Sequence, residues 1–130
     1  MKFDVFETPR EFTVGNGARF SLWDCGRLAL NPDEQVTFTT KRGGELDIVR
    51  KNWGFYATPS LNGRLVRFGL RAVLIRNRRD DRYYILLVER GEETAFEAYL
   101  GQEGCEIVHW LDTTDALESL RLKIGRTHAK

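Results

Sequence analysis

Residues 53–65 read Trp53-Gly54-Phe55-Tyr56-Ala57-Thr58-Pro59-Ser60-Leu61-Asn62-Gly63-Arg64-Leu65, and they gather the side chains that small-ligand pockets use. Aromatic faces suit sugar rings, hydroxyls and amides orient a ligand, and a guanidinium offers a two-pronged fork to a carboxylate or phosphate. Trp53, Tyr56, Thr58, Asn62 and Arg64 are therefore the candidate ligand-binding set. The competing reading is structural: the aromatics belong to a core, and Thr-Pro-Ser and Asn-Gly are ordinary turn formers.

A second constellation is electrostatic. Residues 41–90 carry twelve Lys/Arg against five Asp/Glu, whereas residues 91–120 carry eight Asp/Glu and no Lys or Arg. The last ten residues add four positives, so a formal net charge of +1 hides a basic middle and an acidic segment. Arg76, Arg78, Arg79 and Arg82, close to Phe68, Tyr83 and Tyr84, suit a nucleic-acid-binding module through phosphate contact and base stacking. They suit equally a solvated hairpin tip paired in part with Asp80 and Asp81, and the near-neutral total argues for that. Opposite-signed segments also suit a homo-oligomer, with the basic hairpin of one copy against the acidic helix of another.

Catalytic signatures are sparse. His109 lies between Val108 and Trp110 in a strand pattern and reads as a strand residue on the polar side; His128 stands near the end of the sequence. No H-x-H, H-E-x-x-H or Cys/His cluster occurs, so neither a metal nor another cofactor is expected. Asp24-Cys25 has the composition of a reactive pair, but a buried structural thiol is the expectation for Cys25. Gly15-Asn16-Gly17 lacks the lysine and spacing of a phosphate loop and reads as a hairpin turn.

The elements that must position these residues follow from periodicity. At 130 residues, the chain fits one domain able to bury a core without staples. Phe12 and Val14 before the Gly-Asn-Gly turn, and residues 19–22 after it, read as strands; another apolar stretch spans 27–30 and stops at Asn31-Pro32-Asp33. Residues 35–40 and 45–50 alternate apolar and polar around Lys41-Arg42-Gly43-Gly44, the pattern of a hairpin. Residues 53–67 predict a short strand ending in an ordered loop. Residues 71–76 and 83–88 predict two strands, the second apolar on both faces as a buried central strand should be. Ala95, Phe96, Tyr99 and Leu100 mark one face of a helix over 92–102, stopped by Gly104. Residues 106–111 predict another strand, and Asp112-Thr113-Thr114 the cap of a short terminal helix carrying Leu117 and Leu120.

The fold expected is α+β: a mainly antiparallel β body, sandwich or jelly-roll-like, followed by a C-terminal β-β-α-β unit and a short terminal helix. One domain is expected over residues 1–122, with a flexible basic tail over 123–130. Two isolated cysteines, no leader-like apolar segment and no run of about 20 apolar residues point to a cytoplasmic protein that does not enter a membrane.

The WGFYATPSLNGRL run, with the downstream Arg82-Tyr83-Tyr84 and Leu87-Val88-Glu89 pattern and Val108-His109-Trp110-Leu111-Asp112, resembles a family of small uncharacterised bacterial proteins that accompany glycosyltransferase and surface-polysaccharide genes. The resemblance covers about residues 25–112 and implies a bacterial, cytoplasmic setting with a sugar or sugar-nucleotide context; it carries over no catalytic residue. Residues 26–30, Pro32 and the 35–49 hairpin are also similar to jelly-roll cupins, without the metal-binding His/Glu set. The reading that follows is a non-catalytic small-ligand-binding or accessory protein of glycan or sugar-nucleotide metabolism. A nucleic-acid module using the basic 64–82 segment is the alternative, and an enzyme with an unrecognised carboxylate or thiol site is the third.

Overall fold

The computed structural model describes residues 1–15 and 20–128, with side chains through Gly125. Its elements in chain order are β1 (Lys2–Val14), β2 (Phe20–Ala29), β3 (Gln35–Thr39), β4 (Glu45–Lys51), β5 (Gly54–Ala57), α1 (Arg64–Arg67), β6 (Leu70–Asn77), β7 (Arg82–Glu89), α2 (Glu93–Glu103), β8 (Cys105–Trp110) and α3 (Thr114–His128). The α+β class with a mainly antiparallel β body is what the chain adopts. The described strands fall into three sheets, ordered β1-β2, β3-β4-β5 and β7-β6-β8.

The β7-β6-β8 sheet is the centre of the molecule. β6 pairs antiparallel with both neighbours, and α2 crosses over it from β7 to β8. Alternate side chains of β6 enter two clusters. Val73 and Ile75 pack with Val88, Leu100 and Cys105 beneath α2, while Leu70 and Ala72 pack with Leu65 of α1. A strand buried on both faces must be apolar or have its polar groups paired: Arg71 and Arg76 of β6 face carboxylates, and the buried Asn77 at its end accepts from the Arg79 amide at 2.9 Å.

The buried central strand is thus β6, which corrects the expectation for residues 83–88. β7 stands at the sheet's edge, and Tyr83, Tyr84 and Ile85 are exposed. Only its second half, from Leu86, reaches the clusters. An apolar run marks a strand without saying which neighbour lies on either side of it.

α2 ends at Gly104, whose left-handed φ of 67° lets the chain turn directly into β8. Thr113 caps α3, its Oγ1 accepting from the Ala116 amide at 3.0 Å. α3 runs fifteen residues, not the short helix expected, and its helical backbone continues through residues 123–128; Ala129 and Lys130 and the side chain of His128 lie outside the described residues.

β1 and β2 form a long antiparallel arm. The sequence pattern split β2 into 19–22 and 27–30 and left residues 2–11 unassigned; the structure joins the first pair and extends β1 back to Lys2. Asn16 and Gly17 of the expected turn lie outside the described residues. The ladder is irregular between Val5 and Arg10, where Pro9 has no amide to contribute. Cross-strand pairs Phe3–Leu28, Phe12–Leu22 and Val14–Phe20 line one side of the ribbon. Where the strands approach most closely only glycine fits, since a Cβ on Gly26 would stand 2.4 Å from the Asp4 carbonyl oxygen.

The central and edge strands predict different sensitivities. Ile75→Ala, at a side chain 1% exposed, should lower the unfolding free energy by about 2–5 kcal/mol, whereas Ile85→Ala, at 57% exposure, should change it by no more than about 0.5 kcal/mol in urea melts. Equal losses at the two positions would refute this placement of β6 and β7.

Candidate functional site

The 53–65 segment divides into two parts. Asn52 and Trp53 make the two-residue turn between β4 and β5, and Trp53, 72% exposed, stacks on Tyr56 with ring centroids 6.1 Å apart. Phe55 is exposed on the opposite face of β5, with the Arg50 guanidinium 5.7 Å from its centroid. This end of the segment presents aromatic surface to solvent.

From Thr58 onward the segment builds a junction. The Thr58 amide donates to the Asp47 carbonyl at 3.0 Å, while its Oγ1 is buried without a hydrogen-bond partner. Asp47 is itself buried and binds Thr37 Oγ1 at 2.5 Å and Arg64 Nη2 at 3.1 Å. Arg64 also lies 5.3 Å from the Phe68 ring. Asn62 Nδ2 donates to Thr114 Oγ1 at 3.1 Å, tying the loop to the start of α3. Arg64 and Asn62 therefore hold this loop against β4 and α3, and Leu65, 1% exposed, anchors it in the core. Trp53 and Tyr56 share a stack; Thr58 and Arg64 both meet Asp47; Asn62 turns to α3.

Two of the four hairpin arginines, Arg76 and Arg78, are neutralised, while Arg79 and Arg82 make no ion pair among the described residues. Arg76 donates to Asp81 at 2.6 Å and to Glu106 at 2.7 Å, and Arg78 donates to the other Glu106 oxygen at 3.3 Å. The pairing with Asp81 follows the sequence reading, but Glu106, on the neighbouring strand, was not legible as a partner. These hydrogen bonds hold the Glu106 carboxyl below its ordinary value and raise the Arg76 guanidinium. The acidic 91–120 segment meets the basic one inside the chain at further points: Arg42 with Glu92, and Arg71 with Glu93 and Asp112. His109 is half-buried on β8, where its Nε2–H donates to the Ala116 carbonyl at 2.7 Å, a structural tie to α3. Neither cysteine is bridged. Cys25 is exposed, against the expectation of a buried thiol, because its stretch of the arm has no element packed over it; Cys105 is buried.

The cleft with the most varied chemistry lies where the arm tip meets the central sheet and encloses about 410 Å³. Phe20, Tyr84 and Tyr99 give it aromatic walls, with Phe20 edge-on to Tyr99 at 6.3 Å. Asn77, Asp80, Arg82 and Glu103 supply polar groups. No partner among the described residues engages the Arg82 guanidinium or the two tyrosine hydroxyls. Burial pushes the Tyr99 hydroxyl and the Cys105 thiol up, so both stay protonated at neutral pH. Arg82 entered the sequence reading only as part of a basic cluster; its separation from Arg76 and Arg78 depends on which carboxylates face it. No group of three or more His, Cys, Asp or Glu among the described residues is placed to hold a metal ion.

Two outcomes follow. A thiol reagent should modify Cys25 rapidly in the native protein and Cys105 only after denaturation; two equally fast thiols would contradict the burial of Cys105. The Glu106 carboxyl should titrate below 4.5 by NMR and move back toward 4.5 in an Arg76→Gln, Arg78→Gln variant. Its folded value is depressed, so its ion pairs contribute stability above the unfolded value and lose it as pH falls through the folded one. An unchanged titration would dismiss the two arginines as its cause. Compared with known proteins, the chain matches no family model, no curated protein and no solved structure.

Proposed function

We propose that this chain is a non-catalytic small-molecule-binding protein whose ligand is a hydroxylated ring carrying an anionic group, held in the cleft between the arm tip and the β7-β6-β8 sheet. The carrying observation is the combination in one 410 Å³ space of aromatic walls, carboxylates and an amide, and a guanidinium with no partner among the described residues. The volume lies in the range of small-molecule sites. Phe20, Tyr84 and Tyr99 offer faces to the apolar side of a ring, Asp80, Glu103 and Asn77 accept or share hydroxyl protons, and Arg82 takes the anion. Sugar phosphates, uronates and sugar nucleotides have this chemistry, which accords with the glycan context implied by the WGFYATPSLNGRL resemblance. The exposed Trp53–Tyr56 stack is a second aromatic surface for such ligands.

A bacterial cytoplasmic setting belongs to the same proposal. Two free thiols favour a reducing compartment, and no helix among the described residues is long and apolar enough to cross a membrane. The nucleic-acid alternative has less support, because Arg76 and Arg78 face carboxylates.

The test is a thermal-shift and calorimetric panel of hexose phosphates, hexuronates and nucleoside-diphosphate sugars on the wild-type chain and on Arg82→Ala. A ligand of this class should raise the melting temperature by mass action. Arg82→Ala should weaken it by about tenfold or more, the loss of one charge-assisted hydrogen bond. Equal affinity in both proteins would remove Arg82 from the site, and no shift with any member of the panel would defeat the ligand class.

A further inference from the structure

A different part of the molecule carries an anion site. Three segments distant in sequence meet beside the end of the central sheet: the β3–β4 turn with Arg42, Gly43 and Gly44, the end of α1 and the turn after it with Arg67 and Gly69, and Arg90 just after β7. They enclose a polar basin of about 290 Å³. Its frame is fixed by backbone bonds across the segments, Arg90 amide to Gly69 carbonyl at 2.8 Å and Glu45 amide to Phe68 carbonyl at 3.2 Å.

The frame places three arginines in the walls of one small space. Arg42 uses Nη1 on Glu92, Arg90 uses Nη2 on the Val66 carbonyl at 2.9 Å, and Arg67 has no partner among the described residues. Each guanidinium has five N–H donors, so most of the donors remain free. The carboxylates at the basin are Glu89, which accepts from Thr40 Oγ1, and Glu92. Arg42 and Glu92 neutralise each other, and Arg67 and Arg90 stand against the single charge of Glu89, so the basin carries one net positive charge. The glycines belong to the same arrangement: Gly91, at φ 94°, has no side chain where a Cβ would stand 3.0 Å from Arg42 Nη2, so the guanidinium lies directly over the backbone.

We propose that this basin binds a phosphoryl group, as a free phosphate or as the phosphomonoester of a small molecule. Guanidinium forks match the spacing of phosphate oxygens, and an anion that accepts several hydrogen bonds at once suits walls with a net positive charge and spare N–H donors. The site lies apart from the arm-tip cleft and shares no wall residue with it.

The probe is inorganic phosphate, titrated calorimetrically into the full chain near neutral pH with ionic strength held constant by sodium chloride. The expected result is a saturable phosphate site that Arg67→Ala weakens about tenfold or more and that persists in an Arg121→Ala variant, whose side chain pairs with Glu118 away from the basin. Arg67 is exposed and has no side-chain partner among the described residues, so its removal leaves the fold intact, which circular dichroism and the melting temperature verify. Heats that never saturate, or an Arg67→Ala variant that binds as well as wild type, overturn the proposal. Loss of binding in Arg82→Ala with retention in Arg67→Ala also overturns it, and assigns the phosphate to the arm-tip cleft instead.

Discussion

The Arg71 guanidinium is the point through which the C-terminal half is joined. It projects from the central strand β6, donates to Asp112 at 2.7 Å and to Glu93 at 3.1 Å, and lies 4.0 Å from the centroid of the Trp110 ring. Those partners belong to the link after β8, the first turn of α2 and the end of β8. Asp112 is almost wholly buried, and a carboxylate there is tolerable only with a cation against it. The Glu93 carboxylate also accepts from its own amide and from the Gly91 amide at 2.7 Å, and these bonds, with the lesser help of Arg71, hold its carboxyl below the usual range. The entry of α2, the exit of β8 and the direction of both across β6 are therefore set together. Where Phe96, Tyr99 and Leu100 point follows from that, and Tyr99 forms a wall of the arm-tip cleft.

The arm stands in a different physical regime. A two-stranded ribbon is marginal by itself in water and needs its apolar side against something. At its tip Phe20 meets Tyr99, and at its base the Met1 ammonium pairs with Glu34 at 3.0 Å. Between these ties Val5 and Leu22 stay exposed, and crevices remain at tip and base: the 410 Å³ cleft, and another of about 380 Å³ with Phe3, Leu28 and Phe38 in its walls. Little buried apolar surface places the arm at the low-stability end of the molecule. The cleft is thus a space between a firmly packed unit and a lightly held one, the kind of boundary where a ligand contributes contacts that the protein alone does not make.

Much of the fold was legible before the structure. The 35–50 hairpin, the two strands after residue 70, the Phe96, Tyr99 and Leu100 part of the α2 face (Ala95 is exposed), the Gly104 stop and the Thr113 cap each follow from residues within a few positions of one another. The site was legible in part. Trp53 and Tyr56 do form an exposed aromatic pair, but Asn62 and Arg64 are drawn to Thr114 and Asp47, 52 and 17 residues away. Aromatic, amide and guanidinium groups look alike in a sequence whether they face a ligand or another part of the chain. The arm-tip cleft was not legible, because its walls come from the arm, the β6–β7 hairpin and α2, and no local pattern links them.

By itself the sequence determined most of the strands and helices after residue 35 and where they turn, because hydrophobic period, glycine and proline act through the nearest few residues; the long arm strands and the short α1 it did not determine. It also determined that a basic stretch precedes an acidic one. Only the tertiary structure decided that β6 and not β7 is the buried strand, since the number of neighbours is a property of the sheet. Likewise, only folding decided that Arg71, Arg76 and Arg78 meet carboxylates while Arg67 and Arg82 meet none among the described residues. A charge is written in the chain, but its neutralisation depends on distances of a few ångströms between residues far apart in sequence.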